Sequence, residues 1–277
     1  MDDLPFDDDH AALLACALQG GALCTVTAID GSWSRRVGAQ LAVMPDGSTC
    51  GSLADGCLER ALADEAARGG PPRSLRYGRG SPFVDIRLPC GSGVEVFLDP
   101  RPDHAALRAA VAGLEARRLV SLPIRGGFVR RYLPRLRLVV PGSGPEVAAL
   151  ARLARAQGIA CEVALPLGED GGALSLGRAP DLALDAWSAV AVLFHDHEWE
   201  RAILPWALAS DAFYVGAQGG RAAREARAEW LDAAALAKLR SPVGLIPHTR
   251  TPSTLALSVL AEIVAAYEGL LGQAVNA

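Results

Sequence analysis

Arg137-Leu-Val-Val-Pro-Gly142-Ser-Gly144 is an apolar strand run that ends in Gly-x-Gly. A helical pattern from Pro145 to Gln157 follows, Gly158 stops it, and Ile159 to Leu165 is the next strand. Strand, glycine turn, helix and strand form the opening unit of a doubly wound parallel-sheet domain, where a phosphate can rest on the helix N-terminus. Ser188 to Phe194 is a near-continuous apolar run, as expected of a central parallel strand buried on both faces. Phe213 to Gly216 gives a further strand. Thr251-Pro-Ser-Thr254 opens a long helix to about Leu271, with Leu255, Val259, Ile263 and Ala266 at helical spacing as its core face. The dinucleotide fingerprint is incomplete. Val147 stands at the third glycine position, and Leu165-Pro-Leu167 stands where an acidic residue would hold a ribose, so the pattern supports the fold and argues against NAD(P).

Upstream the pattern is different. Asp9 to Gly20 is an amphipathic helix stopped by Gly20-Gly21, and Ala22 to Ile29 and Ala39 to Met44 are strands. Cys50-Gly-Ser-Leu-Ala-Asp-Gly-Cys57-Leu-Glu59 then leads into an alanine-rich helix to about Ala67, which Ser52 or Asp55 can cap. Phe83 to Leu88 and Val94 to Leu98 alternate as strands around Leu88-Pro-Cys90-Gly-Ser-Gly93. His104 to Arg118 is helical, and Leu119 to Leu133 reads as a hairpin around Arg125-Gly-Gly127. These signals predict a small N-terminal α/β domain, residues 1–134, followed by the doubly wound, Rossmann-like domain, residues 135–277.

Composition narrows the function classes. The chain has 277 residues, 51% hydrophobic and 21% charged, with a net charge of −4. It has no basic block, which argues against nucleic acid as a partner. The acidic N-terminus is not a secretory signal, and no run of about 18 uncharged apolar residues predicts a membrane span. Six cysteines without an export signal or a Cys-x-x-Cys pair suggest reduced thiols in the cytoplasm rather than disulfides or a zinc knuckle.

Several residues are placed for chemistry. Cys57 falls in or near the first turn of its helix, where unpaired N–H groups and the helix dipole favour an anion, and the thiolate is the reactive form of cysteine. Cys90 lies in a glycine-bearing turn. The other reading of both thiols is burial in a core. Arg35 and Arg36, in the loop Asp30 to Gly38, can hold an anion or sit on a solvated loop. His195-Asp-His197-Glu198 follows the central strand, at the edge where ligands bind. It offers either two weak metal candidates, His195 and His197, or a helix cap from Asp196. Gln218-Gly-Gly-Arg221, with Arg224 and Arg227 beyond it, is a second glycine-rich helix start able to take a phosphate.

Six segments in order resemble the XdhC/CoxI family, accessory proteins of xanthine dehydrogenase and related molybdenum hydroxylases. They are Ser32-Trp-Ser-Arg35-Arg-Val-Gly38-Ala39, Gly51-Ser-Leu-Ala-Asp-Gly56-Cys57-Leu-Glu59, Cys90-Gly-Ser-Gly-Val-Glu95, Phe194-His-Asp-His-Glu198, Tyr214-Val-Gly-Ala-Gln-Gly-Gly-Arg221, and Pro242-Val-Gly-Leu245 with Leu257-Ser-Val-Leu-Ala-Glu262. The resemblance implies a cytoplasmic maturation factor, usually a homodimer, rather than an enzyme. Such a factor binds molybdenum cofactor transiently, protects it during sulfuration with a cysteine desulfurase, and delivers it to a molybdenum hydroxylase client. It implies a cofactor site at Cys57, Cys90, Arg35, Gly56 and Gly91, and a second set at Gly142, Gly144, Asp196, Gly219 and Arg221. A thiolate suits a soft metal, and arginines and helix N-termini suit the cofactor's phosphate. This sequence departs from the family pattern at Gly142-Ser-Gly-Pro-Glu-Val147, which lacks the family's histidine, at Ile246-Pro-His-Thr249, at Ser34 and at Asp55. Two competing readings are a nucleotide-dependent oxidoreductase built on the second domain, and a non-catalytic assembly subunit that binds no cofactor.

Overall fold

The computed structural model describes residues 10–54, 56–81, 92–124 and 127–276. The chain divides into two compact units, one up to Pro134 and the other Arg135–Gln273.

The first unit is built on β1 (Ala22–Asp30), β2 (Gln40–Val43), β3 (Thr49–Gly51), β4 (Arg73–Gly78) and β5 (Gly93–Asp99). These form an antiparallel sheet in the order β3-β2-β1-β5-β4. Period-two alternation sends Cys24, Val26, Leu41 and Val43 to one face, where Leu58 and Leu62 of α2 (Cys57–Ala67) cover them. Leu23, Ala42 and Met44 go to the other face, against α1 (Ala11–Gln19) and α3 (His104–Glu115). Asp103 caps α3 by accepting from the N–H groups of Ala105 and Ala106. The expected hairpin is β6 (Val120–Pro123) paired with β7 (Val129–Tyr132). Strand β4 was absent from the sequence reading; it pairs with β5 from Arg73↔Leu98 to Gly78↔Gly93. Leu75 and Tyr77 are its only buried residues, too few for an alternation signal to stand out. The predicted strand at 83–88 lies outside the described residues.

The second unit is the expected parallel sheet. It contains β8 (Arg137–Pro141), β9 (Ala160–Ala164), β10 (Ser188–Val192), β11 (Tyr214–Ala217) and β12 (Leu239–Arg240), in the order β12-β11-β10-β8-β9. Strands β8 and β10 are neighbours, and β9 lies on the far side of β8. The order in which strands are added therefore reverses between β8 and β10, the switch point where such folds bind ligands. On one face pack α4 (Pro145–Ala156) and α8 (Pro252–Asn276), through Val147, Leu150, Val259 and Ile263. On the other packs α5 (Glu200–Leu208), through Ile203, Leu204 and Ala207. Two short helices, α6 (Arg221–Arg227) and α7 (Ala233–Lys238), follow β11.

Pro252–Leu270 is long and apolar enough to cross a membrane by length and composition. Its stripe of Ala256, Val259, Leu260 and Ile263 is buried in the core of the second unit. Glu262 interrupts it, accepting from the Tyr214 hydroxyl at 2.7 Å and from the Gly244 N–H at 2.6 Å. Burial first, and that hydrogen bond second, raise the Tyr214 phenol above its ordinary value.

Candidate functional site

The Cys57 loop is held from several directions. Cys57 is the first residue of α2, behind Gly56, whose φ of +97° lies in the left-handed region that glycine favours. Glu59, in the first turn, folds back under the loop. Its Oε1 accepts from the N–H groups of Leu53 (2.7 Å) and Ala54 (2.6 Å), and its Oε2 from that of Gly56 (2.9 Å). Burial alone would push the Glu59 carboxyl up. The N–H groups of Ala54, Glu59, Leu53 and Gly56 outweigh it and hold the group below the usual carboxylate range. The loop carbonyls are satisfied too. Trp33 Nε1 donates to Leu53 O at 3.0 Å, Arg35 Nε to Ser52 O at 3.3 Å, and Ser52 Oγ to Ala54 O at 3.1 Å.

Two expectations change here. Ser52 does not cap α2; the side chain that answers the loop amides is Glu59. Arg35 uses its guanidinium to brace the loop, with Nη2 also donating to Ser52 Oγ at 3.2 Å. Asp55, Cys90 and Gly91 lie outside the described residues.

Cys57 is the one exposed cysteine among the described residues. Burial pushes the thiols of Cys16 and Cys161 up to about 11 and that of Cys24 up to about 12, so these stay protonated and inert near neutrality. Cys50 is half-buried, and its Sγ donates to Ala11 O at 3.5 Å. A pocket of about 510 Å³ opens beside the loop, lined by Gly51, Ser52, Ala54, Gly56, Glu59 and Arg60 among others.

The second unit carries a larger crevice, about 920 Å³, bounded by Glu146, by Gln218 to Arg221 after β11, and by the segment from Ser241 to Leu255 after β12. The glycine turn before α4 does not form an open phosphate cradle. A side chain at Gly142 would meet Leu193 O and Val147 Cγ2, both at 2.6 Å, so this glycine allows close packing of strand ends. Above Gly144 the space is taken by Glu146, whose Oε2 lies 3.4 Å from where a Cβ on that glycine would stand. An anion resting there would meet a carboxylate.

Beneath the crevice runs a buried ion pair that sequence reasoning missed. Arg227 donates to both carboxylate oxygens of Glu200 at 2.7 and 2.6 Å, to Ser241 Oγ at 2.7 Å, and to Gln218 O. Both side chains are essentially inaccessible. Arg227 therefore ties together the segments after β10, β11 and β12, which corrects the expectation that it stands beside a phosphate-binding helix start. Arg221 is exposed and bonds Glu225 at 2.7 Å. Gly219 lines the crevice.

The histidines after β10 diverge. His197 Nδ1 lies 3.0 Å from Glu200 Oε1, whereas His195 Nε2 lies 3.7 Å from Glu146 Oε2. Asp196 accepts from the Glu198 N–H at 3.0 Å, forming a turn before α5 rather than its cap. The described residues hold no group of three or more His, Cys, Asp or Glu side chains that could bind a metal ion.

Two buried acceptors in the crevice lining, Glu146 Oε2 and Gln218 Oε1, have no hydrogen-bond partner among the described residues. Leaving such a group unmatched costs about 1–3 kcal/mol.

Comparison with known proteins accounts for both units. The XdhC and CoxI family profile matches residues 17–78, and the XdhC Rossmann domain profile matches residues 138–263. The molybdenum cofactor insertion chaperone PaoD of Escherichia coli strain K12 is 34% identical, over 92% of this chain and 88% of its own length. A crystal structure described as a xanthine dehydrogenase from Bacillus halodurans aligns with a TM-score of 0.73 at 19% identity, covering 94% of this chain and 96% of that one. That second likeness speaks to the fold alone. With both units matched in order and a relative aligned along nearly the whole chain, this protein belongs to the XdhC/CoxI family.

Proposed function

We propose that this chain is a molybdenum cofactor maturation factor that holds the cofactor through Cys57 and passes it to a molybdoenzyme client. The observation that carries this reading is an exposed thiol at a helix start, behind a loop whose Leu53, Ala54 and Gly56 amides and Ser52, Leu53 and Ala54 carbonyls are hydrogen-bonded within the unit. Such a loop keeps its shape without a ligand, so the thiol is presented in advance rather than ordered on binding. A thiolate is a suitable ligand for a soft metal centre. Arg60, exposed in the pocket lining, is the cation placed for the cofactor's phosphate, while Arg35 shapes the loop. Cys90 is proposed as the second thiol on the sequence resemblance. The similarity to a molybdenum cofactor insertion chaperone points the same way.

The finer parts of the proposal are transient binding, protection during sulfuration with a cysteine desulfurase, a xanthine dehydrogenase-type client, and a homodimer in the cytoplasm. The carboxylate above the Gly144 turn counts against a nucleotide-dependent oxidoreductase of the usual doubly wound kind.

Anaerobic binding of released molybdenum cofactor tests the core of the proposal, with the native protein beside Cys57→Ala and Cys90→Ala. Stoichiometric retention that weakens with Cys57→Ala is the expected result. Equal retention by all three proteins would move the site away from the thiols, and no retention by any would end the proposal.

A further inference from the structure

We infer that Leu245, Ile246 and Leu257 of the second unit form the surface that docks the molybdoenzyme client, which meets it with an apolar patch bordered by carboxylates. The partner's identity rests on the maturation role proposed above, and the place rests on the second unit alone. The three side chains are 59%, 45% and 54% exposed, and the fold gathers them. The Leu245 N–H donates to Ser258 O at 3.3 Å and the Ile246 N–H to Ser258 Oγ at 2.6 Å, beside Leu257 in α8. So close an approach needs glycine at 244, where a side chain would stand 2.5 Å from Ser258 Oγ. The Gly244 N–H is itself held by Glu262 at 2.6 Å, and Pro247 stiffens the chain beyond. The segment thus presents its aliphatic groups on a backbone fixed in advance, which lowers the ordering cost of binding a partner. Large apolar side chains exposed singly are ordinary, whereas a gathered set marks an interaction surface.

Helix α8 extends the patch. Ala261 and Ala265 follow Leu257 at four-residue spacing and are also exposed, and Glu262 is the one charged residue between Pro252 and Tyr267. An uncharged outer helix face is normally covered. The border selects what covers it. Leu245 and Ile246 also line the crevice, together with Arg221, Arg224 and Arg250 and one carboxylate, Glu146, which has a buried oxygen. Glu225 matches Arg221 at 2.7 Å, so the excess positive charge is that of Arg224 and Arg250. Cations beside exposed aliphatic groups fit an apolar face with an acidic rim. A second copy of this chain fits poorly, because a two-fold contact sets the patch against itself and brings guanidinium groups together. Ile246-Pro-His-Thr249 is also a place where this chain departs from the family pattern, which suits a segment that discriminates among clients.

The test uses the full chain and the cofactor-free molybdenum hydroxylase of the same organism, with binding followed by interferometry. The native protein should bind it. Leu257→Gln, and Leu245→Ser combined with Ile246→Ser, should each bind about tenfold more weakly. Leu176→Gln, at a leucine 59% exposed elsewhere on the unit, should bind as the native protein does. Arg250→Ala, or salt raised from about 50 to about 300 mM, should slow association about threefold or more. Unchanged affinity in both aliphatic variants, an equal loss with Leu176→Gln, association indifferent to salt, or no binding by the native protein at about 100 μM would overturn the inference. Variants that lose self-association at unchanged client affinity would assign the patch to a second copy, and variants that lose binding to phosphatidylglycerol vesicles would assign it to a membrane; either result also overturns it. Cofactor retention by the same variants should equal that of the native protein. A native protein that retains cofactor without binding the client overturns this inference alone, whereas one that binds the client through the patch without retaining cofactor ends the proposal for Cys57 alone.

Discussion

The helix that begins at Cys57 and the helix that begins at Pro145 both follow a glycine turn, and both carry a glutamate in the first turn. At the first, Glu59 reaches back and accepts from three N–H groups of the preceding loop. At the second, Glu146 folds over its turn and keeps a buried oxygen without a hydrogen bond. A satisfied carboxylate braces what surrounds it, whereas an unsatisfied one is held ready for something else. The same residue type at nearly the same helical position thus braces a loop in one unit and lines a crevice in the other. What separates them is the loop. Between β3 and α2 the amides of Leu53, Ala54 and Gly56 turn toward Glu59, while the turn after β8, residues 142–144, is too short to do so.

The comparison can be broken most severely beneath the crevice. Arg227→Ala would leave Glu200 buried without its cation, at a cost of roughly 3–5 kcal/mol. Urea unfolding followed through the tryptophans of the second unit, Trp187, Trp199, Trp206 and Trp230, should show that loss. A change below about 1 kcal/mol would mean that the crevice does not depend on the pair.

Glu59→Ala comes next, at about 2–3 kcal/mol, because it strands loop amides that the fold keeps from water. Trp33, the one tryptophan of the first unit, bonds the same loop and reports the change. This carboxyl is lower in the folded protein than in the unfolded chain. Its contribution is therefore present above the unfolded value of about 4.3 and is lost as pH falls through the folded value. The stability gap between native protein and Glu59→Gln should close on acidification below about pH 4.3; a gap independent of pH would argue against the brace.

Tyr214→Phe should cost about 1 kcal/mol by removing one of the two donors to Glu262 Oε2, while the Gly244 N–H remains. Glu146→Ala should sharpen the contrast with Glu59, raising stability by about 1 kcal/mol or more in urea unfolding of the second unit, because it removes a buried acceptor that lacks a donor. A loss as large as that of Glu59→Ala would make Glu146 a second brace and end the contrast.

Much of the framework is legible in local pattern. The apolar run at Ser188–Val192, the Gly-x-Gly after Arg137–Pro141 and the helical stripe Val259, Ile263 each fix an element and its buried face. The start of α2 at Cys57 follows from the glycine before it. Strand β4 is not legible, because it is a strand through its pairing with β5 rather than through its own hydrophobicity. The candidate sites divide the same way. A cysteine near a helix start is a matter of position along the chain, whereas its exposure was open between two readings until the fold placed it.

Three features of those sites are not. That Arg227 is buried, that Arg35 braces a loop, and that Glu146 lacks a donor all depend on which distant segments come within 3 Å of a side chain. The sequence by itself determined two α/β units, the parallel sheet and the place of Cys57, because periodicity and glycine act over a few residues. Only the tertiary structure decided which charged groups are satisfied, because a hydrogen bond is won or lost over a fraction of an ångström between residues far apart in the chain.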